Sequence, residues 1–278
     1  MIPDLVLAWN DTQKQEAMEV HNVPKENIIV TGSPFFDKWF EEKKILDREE
    51  FCQKVGIPED KPFLLYLGSS ENIAKDESWL IKKIADELQK TNDQRLKEMV
   101  ILMRPHGSHQ DVYRNLSHPK IKVWLRPERL PNSPESFSEF ASGLFYSSCT
   151  VGLNTTGMVD ALLADKPVVV LLVEEYSQTN AAQAIHFRYI LNEDVYERAG
   201  SVREAASIVS RILNGEDNKR ENRRKFVFKF VRPNGFEWSA GELCALAIEW
   251  LGQKKTISEI RYFMNLLKEE KEYAHTSR

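Results

Sequence analysis

Short continuous runs of apolar residues recur along the chain and alternate with stretches in which apolar residues are spaced three and four positions apart. Continuous runs of this length are typical of strands buried on both faces of a parallel sheet. Between two of them, Phe137, Phe140 and Leu144 lie at helical spacing, and Ser133 is the predicted N-cap of that helix. The alternation predicts an α/β fold with a Rossmann-like, doubly wound parallel sheet. The apolar runs are FLLYL (63–67), MVILM (99–103), CTVGL (149–153) and KPVVVLL (166–172).

The chain opens with a complete βαβ pattern, in which strand-like segments at 4–10 and 27–32 flank a helix that Asp11 is expected to cap. A charged helical stretch follows, with no strand before Pro62. Further helices are predicted near 202–213, 217–230, 239–251 and 258–272. We therefore predict four segments, namely a βαβ unit at 1–40, a helical linker at 41–61, a Rossmann-like domain at 62–252 and a C-terminal helix at 253–278.

The composition narrows the class of protein without indicating a function. The chain has 278 residues, of which 42% are apolar, and a net charge of -4, so it does not indicate a polyanionic partner. Cys52, Cys149 and Cys244 lie far apart and form no CxxC pair, which argues against a zinc site or a disulfide framework and favours a reducing compartment. The sequence has neither a run of eighteen apolar residues nor a signal pattern. A soluble cytoplasmic protein is expected.

Polar residues follow two of the apolar runs, at the positions where strands of a parallel sheet end and ligands usually bind. Gly68, Ser69 and Ser70 come after the first run. The glycine allows close backbone approach and the hydroxyls can bond phosphate oxygens, although the same residues also make ordinary turns. Arg104 ends the second run and His106 follows it. The guanidinium can hold a phosphate in bidentate fashion and the imidazole can exchange a proton, or the two can serve a carboxylate partner and a helix cap.

The stretch CTVGLNTTGMVDALLADKPVVVLL places a small polar turn between a buried strand and a helix. The turn consists of Asn154, Thr155, Thr156 and Gly157. Its backbone N–H groups, its two hydroxyls and the helix dipole suit a phosphate or a diphosphate. Asp160 lies one turn further along, at a depth that suits ribose hydroxyls. A well-capped helix with an acid in its first turn has the same pattern, and spacing alone leaves both interpretations open.

The order of RPHG, KIKVW and VGLNTTGMVDALLADKPVV along the chain resembles the nucleotide-binding half of GT-B glycosyltransferases, in particular the group of CDP-glycerol glycerophosphotransferases and UDP-N-acetylglucosamine 2-epimerases. The resemblance implies that residues 62–252 bind a nucleotide donor, with Asn154, Thr155, Thr156 and Asp160 around its diphosphate and ribose. It also implies that the last helix crosses back toward the opening βαβ unit through an apolar stripe formed by Ile257, Ile260, Phe263, Met264 and Leu267.

The function that this resemblance implies is transfer from a UDP- or CDP-linked donor, a nucleotide sugar or a CDP-alcohol, in surface-polysaccharide synthesis. Arg104 and the helix start at 154–157 would stabilise the diphosphate leaving group, with no required metal or cofactor. The alternatives are a nucleotide-sugar 2-epimerase and a non-catalytic nucleotide-binding module that completes a split enzyme. The catalytic residue is unknown, with His106 and His186 as candidates.

The opening stretch AWNDTQKQEAMEVHNVPKENIIVTGSPFFDKW resembles the last βαβ unit of the N-terminal domain of such an enzyme. In that family the N-terminal domain binds most of the acceptor, and a general base is expected from it. We therefore expect a missing N-terminal domain or a partner chain, the sequence being a truncated form, a fragment or half of a split enzyme.

A third set of polar residues lies after the run that ends near Val173. Glu174, Glu175 and Gln178 could meet the sugar, while Gln183 and His186 resemble a Q…HF feature of related sequences. Solvated acids and a core histidine are the alternatives. The absence of a close His/Asp pair argues against a metal site.

Residues 218–232 concentrate lysine and arginine between aromatic residues, as nucleic-acid and anionic-lipid surfaces do. The preferred interpretation is a solvated basic helix face with Phe226 and Phe230 packed inward. No nucleic-acid partner is expected, and a peripheral membrane contact through this stretch is possible but not favoured.

Overall fold

The computed structural model describes residues 3–42, 45–126, 133–179 and 190–276. Its strands are β1 (Val6–Ala8), β2 (Ile28–Val30), β3 (Phe63–Leu67), β4 (Val100–Arg104), β5 (Ile121–Val123), β6 (Thr150–Gly152), β7 (Val168–Leu171) and β8 (Glu197–Ala199). Its helices are α1 (Asp11–Glu19), α2 (Arg48–Val55), α3 (Ser78–Lys90), α4 (Gln94–Glu98), α5 (Pro134–Tyr146), α6 (Gly157–Leu163), α7 (Val202–Leu213), α8 (Arg220–Phe226), α9 (Ala240–Gly252) and α10 (Ile257–Thr276). Short 3-10 turns occur at Lys25–Asn27, Pro34–Trp39, Asp111–Tyr113 and Glu174–Tyr176, and a π-helix at Val227–Val231.

The chain divides into two compact units, the first made of Met1–Glu42 with Lys225–Arg278 and the second of Lys43–Arg224. In the second unit six parallel strands form one sheet in the order β5-β4-β3-β6-β7-β8. Counted from β3, this is the strand order 3-2-1-4-5-6 of a doubly wound Rossmann-like sheet, which confirms the predicted fold class. The strand order reverses between β3 and β6, and such a switch point is where α/β sheets bind ligands.

The continuous apolar run of β3 is explained by helices on both of its faces. Leu64 and Tyr66 belong to a core cluster with residues of α3 and α7. Phe63, which points to the opposite side, stacks on Phe51 of α2 with 5.9 Å between the ring centres. Each residue of the run is therefore buried, and no polar alternation is left to mark the strand.

In the first unit β1 and β2 pair in parallel, and the last helix packs against them. Ile260 and Met264 of α10 are buried in a cluster with Ile29 of β2. Arg261 donates hydrogen bonds to the carbonyl oxygens of Glu26 and Ile28, at 3.0 and 3.2 Å. The prediction that this helix packs onto the opening βαβ unit is confirmed. None of the helices in the described parts of the chain is long and apolar enough to cross a membrane.

Several predicted bounds differ from the structure. The helix predicted at 217–230 begins at Arg220 and passes into a π-helix at Val227. Asn10, and not Asp11, caps α1, because its side chain accepts the N–H of Gln13. The sequence also gave no sign of α4 or β8. Helix α9 belongs to the first compact unit, so the predicted segment 62–252 extends across the division between the units.

Candidate functional site

The carboxyl ends of β3, β4 and β6 bring three of the predicted segments together in the second unit. The N–H of Gly68 donates to the carbonyl oxygen of Arg104 at 2.9 Å. The N–H of Asn154 donates to the hydroxyl of Ser69 at 3.4 Å. A side chain at position 68 would lie 3.1 Å from the Cα of Pro105, so glycine is required where these two backbones approach.

Arg104 is a half-buried cation that lacks partners for the buried part of its guanidinium group. Its Nε and Nη2 atoms lie inside the protein and have no hydrogen-bond partner among the described residues. The guanidinium lies 4.0 Å from the centre of the Phe140 ring and 5.5 Å from that of Trp124. Burial, and then the nearby charge of Arg126, lower the pKa of Arg104 well below its usual value, while Asp160 opposes this shift. Such a group is complementary to an anion.

Two further buried polar groups of the second unit have no hydrogen-bond partner in the described parts of the chain. They are the side-chain nitrogen Nδ2 of Asn154 and the hydroxyl of Tyr196. Burial raises the pKa of Tyr196, and the negative charge of Asp160 raises it further. Tyr196 and Asp160 therefore lie within electrostatic range of each other. Asp160 itself is 6% exposed. Sequence reasoning missed Tyr196, because it precedes a strand, β8, that the sequence did not predict.

The turn after β6 does not use its side chains to cap the following helix. Thr156 occupies the N-cap position of α6 but makes no side-chain capping bond, and its side chain is exposed. Thr155 is half-buried, and its backbone carbonyl accepts the N–H of Met158. By contrast, Ser133 caps α5 with a complete capping box. The two threonine hydroxyls therefore remain available at the helix start, which opens at Gly157.

His106 follows Arg104 and is half-buried. Its Nδ1 atom lies 2.7 Å from the hydroxyl of Ser108. Burial, and then the charges of Arg126 and Arg104, lower the pKa of His106, so the imidazole is neutral at neutral pH. A neutral imidazole can accept a proton, as a general base must. The other catalytic candidate, His186, and the predicted sugar contact Gln183 lie outside the described residues.

The segment after β7 lies at the same edge of the sheet but has exposed acids. Glu174, Glu175 and Gln178 are exposed. Within the same turn, Tyr176 donates its hydroxyl to the carbonyl of Asp76 at 2.6 Å. A carboxylate oxygen of Glu175 lies 4.0 Å from the ammonium of Lys83 on α3, a solvated pair. A role of these residues toward a sugar stays a prediction.

Beneath the loop after β3 lies a carboxylate that sequence reasoning did not single out. Glu77 is fully buried and accepts the N–H of Ser69 at 2.7 Å and the hydroxyl of Tyr66 at 2.6 Å. Burial raises the pKa of Glu77, and the hydrogen bonds from Tyr66 and Ser69 oppose that shift. In the sequence Glu77 stands in the polar stretch KDES, where a solvated position is the ordinary expectation.

The basic stretch at 218–232 is largely neutralised by neighbouring acids. Lys219 pairs with Asp194 at 2.6 Å, and Arg220 pairs with Asp165 at 3.0 Å. Phe226 is buried, in agreement with the preferred interpretation of this helix. The expectations that no nucleic acid binds here and that a membrane contact is not favoured stay predictions.

Comparison with solved structures shows the class of fold. The chain is similar to a proposed UDP-N-acetylglucosamine 2-epimerase from Listeria monocytogenes, at 15% identity over 91% of this chain and 60% of that one, with a TM-score of 0.58. It is also similar to MnaA from S. aureus, solved with UDP, at 17% identity over 91% of this chain and 61% of that one, with a TM-score of 0.58. The wall teichoic acid polymerase TagF is similar at 14% identity over 82% of this chain and 54% of that one, with a TM-score of 0.53. These likenesses establish the GT-B type of fold.

The more particular finding concerns the first part of the chain. Residues 2–128 match the family model described as CDP-Glycerol:Poly(glycerophosphate) glycerophosphotransferase. Together with the solved structures, this match confirms the predicted resemblance to this group; the matched residues include RPHG and end before the turn after β6. No curated protein is detectably similar in sequence. The chain spans about three fifths of the length of the structures that it resembles.

Proposed function

We propose that this chain binds the nucleoside diphosphate part of a UDP- or CDP-linked donor and is the donor-binding half of a glycosyl- or glycerophosphotransferase. The observation that carries the proposal is the guanidinium of Arg104, whose Nε and Nη2 atoms are buried without hydrogen-bond partners among the described residues. It stands at the switch point of a doubly wound sheet, where ligands of this fold class bind.

An anionic ligand accounts for this arginine better than water does. A buried cation with unsatisfied donors costs free energy, and charge-assisted bonds to phosphate oxygens offset that cost. The amide of Asn154 and the hydroxyls of Thr155 and Thr156 add neutral donors nearby. Asp160 carries the same sign of charge as a diphosphate, so its suitable partner is the uncharged ribose.

The chemistry that such a site supports is stabilisation of a departing phosphate. Transfer of a sugar breaks the bond from its anomeric carbon to oxygen and releases a nucleoside diphosphate. Transfer of glycerophosphate breaks the bond within the diphosphate and releases a nucleoside monophosphate. In both cases negative charge grows on the leaving phosphate, and fixed donors such as Arg104 stabilise it in the transition state.

A 2-epimerase is the second candidate, supported by the likeness to the proposed epimerase from Listeria monocytogenes. It uses the same donor site, so the products must separate the two. Incubation with a UDP-linked sugar gives the UDP-linked epimer if the chain is an epimerase, or the free epimer together with UDP if water also hydrolyses the donor. Incubation with CDP-glycerol and an acceptor releases CMP if it is a glycerophosphotransferase. A chain that binds nucleotide but yields neither product fits the third candidate, a nucleotide-binding module that works with a partner chain.

The proposal is tested by thermal shift with CDP, UDP, GDP and ADP conjugates, on the wild type and on Arg104→Gln. A ligand that binds the folded state at about 100 times its Kd adds about 2.7 kcal/mol of stability. We expect at least one pyrimidine conjugate to raise the melting temperature of the wild type and to have little effect on the variant. If no conjugate stabilises the wild type, or if Arg104→Gln responds equally, the proposal is wrong.

A further inference from the structure

The buried carboxylate of Glu77 has no role in the site as described so far. Glu77 immediately precedes α3, is 0% exposed and accepts hydrogen bonds from two different residues of the β3 segment. Its own N–H donates to the hydroxyl of Tyr113 at 3.3 Å. An ionised carboxylate in the interior costs stability unless its acceptors are well used. A residue that costs stability in this way calls for a reason other than packing.

The hydrogen bonds of Ser69 supply that reason. Ser69 is fully buried; its N–H is bound by Glu77 at 2.7 Å, and its hydroxyl accepts the N–H of Asn154 at 3.4 Å. One residue thus joins the start of α3, the loop after β3 and the turn after β6. The next residue, Ser70, is half-buried, and neither its N–H nor its hydroxyl donates to any residue in the described parts of the chain. Glu77 binds the N–H of Ser69, and the N–H and hydroxyl of Ser70 are left for a ligand.

We propose that Glu77 is the positioning residue of the nucleotide site, holding Ser69 and, through Ser69, the backbone of Asn154. This inference rests on the function proposed above. A carboxylate accepts the Ser69 N–H through a charge-assisted bond, which is stronger than the bond that a neutral carboxyl or an amide accepts. The alignment of the two loops is therefore tightest when Glu77 is ionised.

The variant that isolates this effect is Glu77→Gln, which keeps the shape and one acceptor but removes the charge. Folding is expected to survive, because burial raises the pKa of Glu77 and the charged form is the costly one. The stability that the neutral form confers is present at low pH and is lost as the pH rises through the raised pKa. Glu87→Gln is the matched control, since Glu87 lies on the same helix and pairs with exposed Lys90 at 3.0 Å.

The first measurement needs no ligand. Amide hydrogen exchange of residues 65–72 and 150–158 is compared between wild type and Glu77→Gln at each pH, so that intrinsic exchange rates cancel. We expect Ser69 and Asn154 to exchange about fivefold faster in the variant at pH 8. The difference should vanish as the pH falls below the raised pKa of Glu77. Ser69→Ala should free the amide of Asn154 while leaving the amide of residue 69 protected.

The second measurement is nucleotide affinity across the same pH range, by isothermal titration with CDP and UDP. The ratio of wild-type to Glu77→Gln affinity should be about fivefold at pH 8 and fall to one in acid. The groups that face Glu77 are Tyr66, Asp76, His109, Tyr113 and Tyr176. Of these, only His109 is of the residue type whose charge commonly changes between pH 5 and 8, so His109→Gln is measured as well.

The outcomes distinguish the positioning role of Glu77 from the proposed nucleotide binding. If Glu77→Gln equals wild type in exchange and affinity at every pH, or if the pH dependence disappears in His109→Gln instead, the positioning role is wrong even when nucleotide binds. If exchange changes as expected but no nucleotide binds the wild type, Glu77 still holds the two loops and the proposed function fails. An effect of equal size in Glu87→Gln would assign the change to the helix and overturn the inference.

Discussion

Two arginines of the same compact unit, Arg223 and Arg104, differ in how their guanidinium groups are paired. Arg223 is 1% exposed and donates to both carboxylate oxygens of Asp217, at 2.7 and 2.6 Å, and to a carboxylate oxygen of Asp165 at 3.1 Å. Arg104 packs its guanidinium against Phe140 and Trp124, and no acceptor in the described parts of the chain binds its Nε or Nη2. Arg223 is buried and leaves only its Nε atom without a partner among the described residues, whereas Arg104 is half-buried and leaves both Nε and Nη2.

The difference shows which kind of positive charge indicates a ligand. The stretch at 218–232 holds seven lysine and arginine residues, yet its most buried arginine, Arg223, is already matched by two aspartates. Arg104 stands alone at the end of an apolar strand and is left with unsatisfied donors. Because Nε of Arg223 also lacks a partner among the described residues, incomplete hydrogen bonding alone does not separate the two arginines. The position of Arg104 at the ligand edge of the sheet, together with its second unpaired nitrogen, therefore indicates the candidate site.

The largest effect should come from the paired arginine. Arg223→Leu removes the cation that Asp217 and Asp165 share, although Asp165 keeps Arg220 and Arg224 and both carboxylates are partly exposed. The expected cost is therefore about 3 kcal/mol, the lower end for breaking a buried pair. We expect this loss in the free energy of unfolding, measured by urea titration and circular dichroism. Arg224→Gln is the control, because Arg224 pairs with Asp165 at 3.2 Å but is largely exposed, and it should cost less than about 1 kcal/mol. Equal losses of unfolding free energy in Arg223→Leu and Arg224→Gln would contradict the expected difference between a buried and an exposed arginine.

The unpaired arginine should show the reverse pattern. Arg104→Gln removes a half-buried cation two of whose nitrogens are buried without partners among the described residues, so the free energy of unfolding should stay the same or rise. Affinity for CDP or UDP should fall by about 2 to 3 kcal/mol, which corresponds to roughly 30- to 150-fold, because charge-assisted bonds to phosphate are lost. Isothermal titration measures the affinity, with Arg95→Gln, an exposed arginine paired with Asp93, as control. An unfolded variant with intact affinity in the remaining folded fraction would contradict the comparison.

The sequence predicts most of the sheet because its inner strands are continuous apolar runs. Strand β8 could not be predicted, since two of the three residues in Glu197–Ala199 are charged and the strand belongs to the sheet only through its pairing with β7. Likewise α4 is five residues long and too short for a periodic pattern. Length and tertiary pairing, which a single sequence does not display, decided these elements.

The candidate site divides in a similar way. Gly68, Arg104 and Asn154 could be predicted because they stand directly after apolar runs, where a parallel sheet places its ligand edge. Glu77 and Tyr196 could not, because their importance comes from neighbours that folding brings to them. Glu77 looks solvated in its local sequence and becomes a buried acceptor only under the loop after β3.

Asp160→Asn tests whether this carboxylate binds the uncharged ribose of a nucleotide and not its charged diphosphate. If the carboxylate binds ribose hydroxyls, the variant should lose about 1.5 to 2 kcal/mol of affinity for a nucleoside diphosphate. Affinity for inorganic diphosphate should stay the same or rise, since one negative charge near Arg104 is gone. Isothermal titration with both ligands decides this. Asp60→Asn, which changes an exposed aspartate, is the control. Equal losses for nucleotide and diphosphate would remove Asp160 from the ribose role.

The smallest effect concerns two helix starts that look alike in sequence. Ser133 caps α5, whereas Thr156 stands at the same position of α6 without a capping bond. Thr156→Val should therefore leave the unfolding free energy unchanged and reduce nucleoside diphosphate affinity by about 1 kcal/mol, the contribution of one hydroxyl donor. Ser133→Ala should do the opposite, costing about 1 kcal/mol of stability and no affinity. Titration and urea unfolding of both variants test this reciprocity. If Thr156→Val destabilises the fold as much as Ser133→Ala does and leaves affinity intact, the turn after β6 is an ordinary helix cap and the phosphate is held elsewhere.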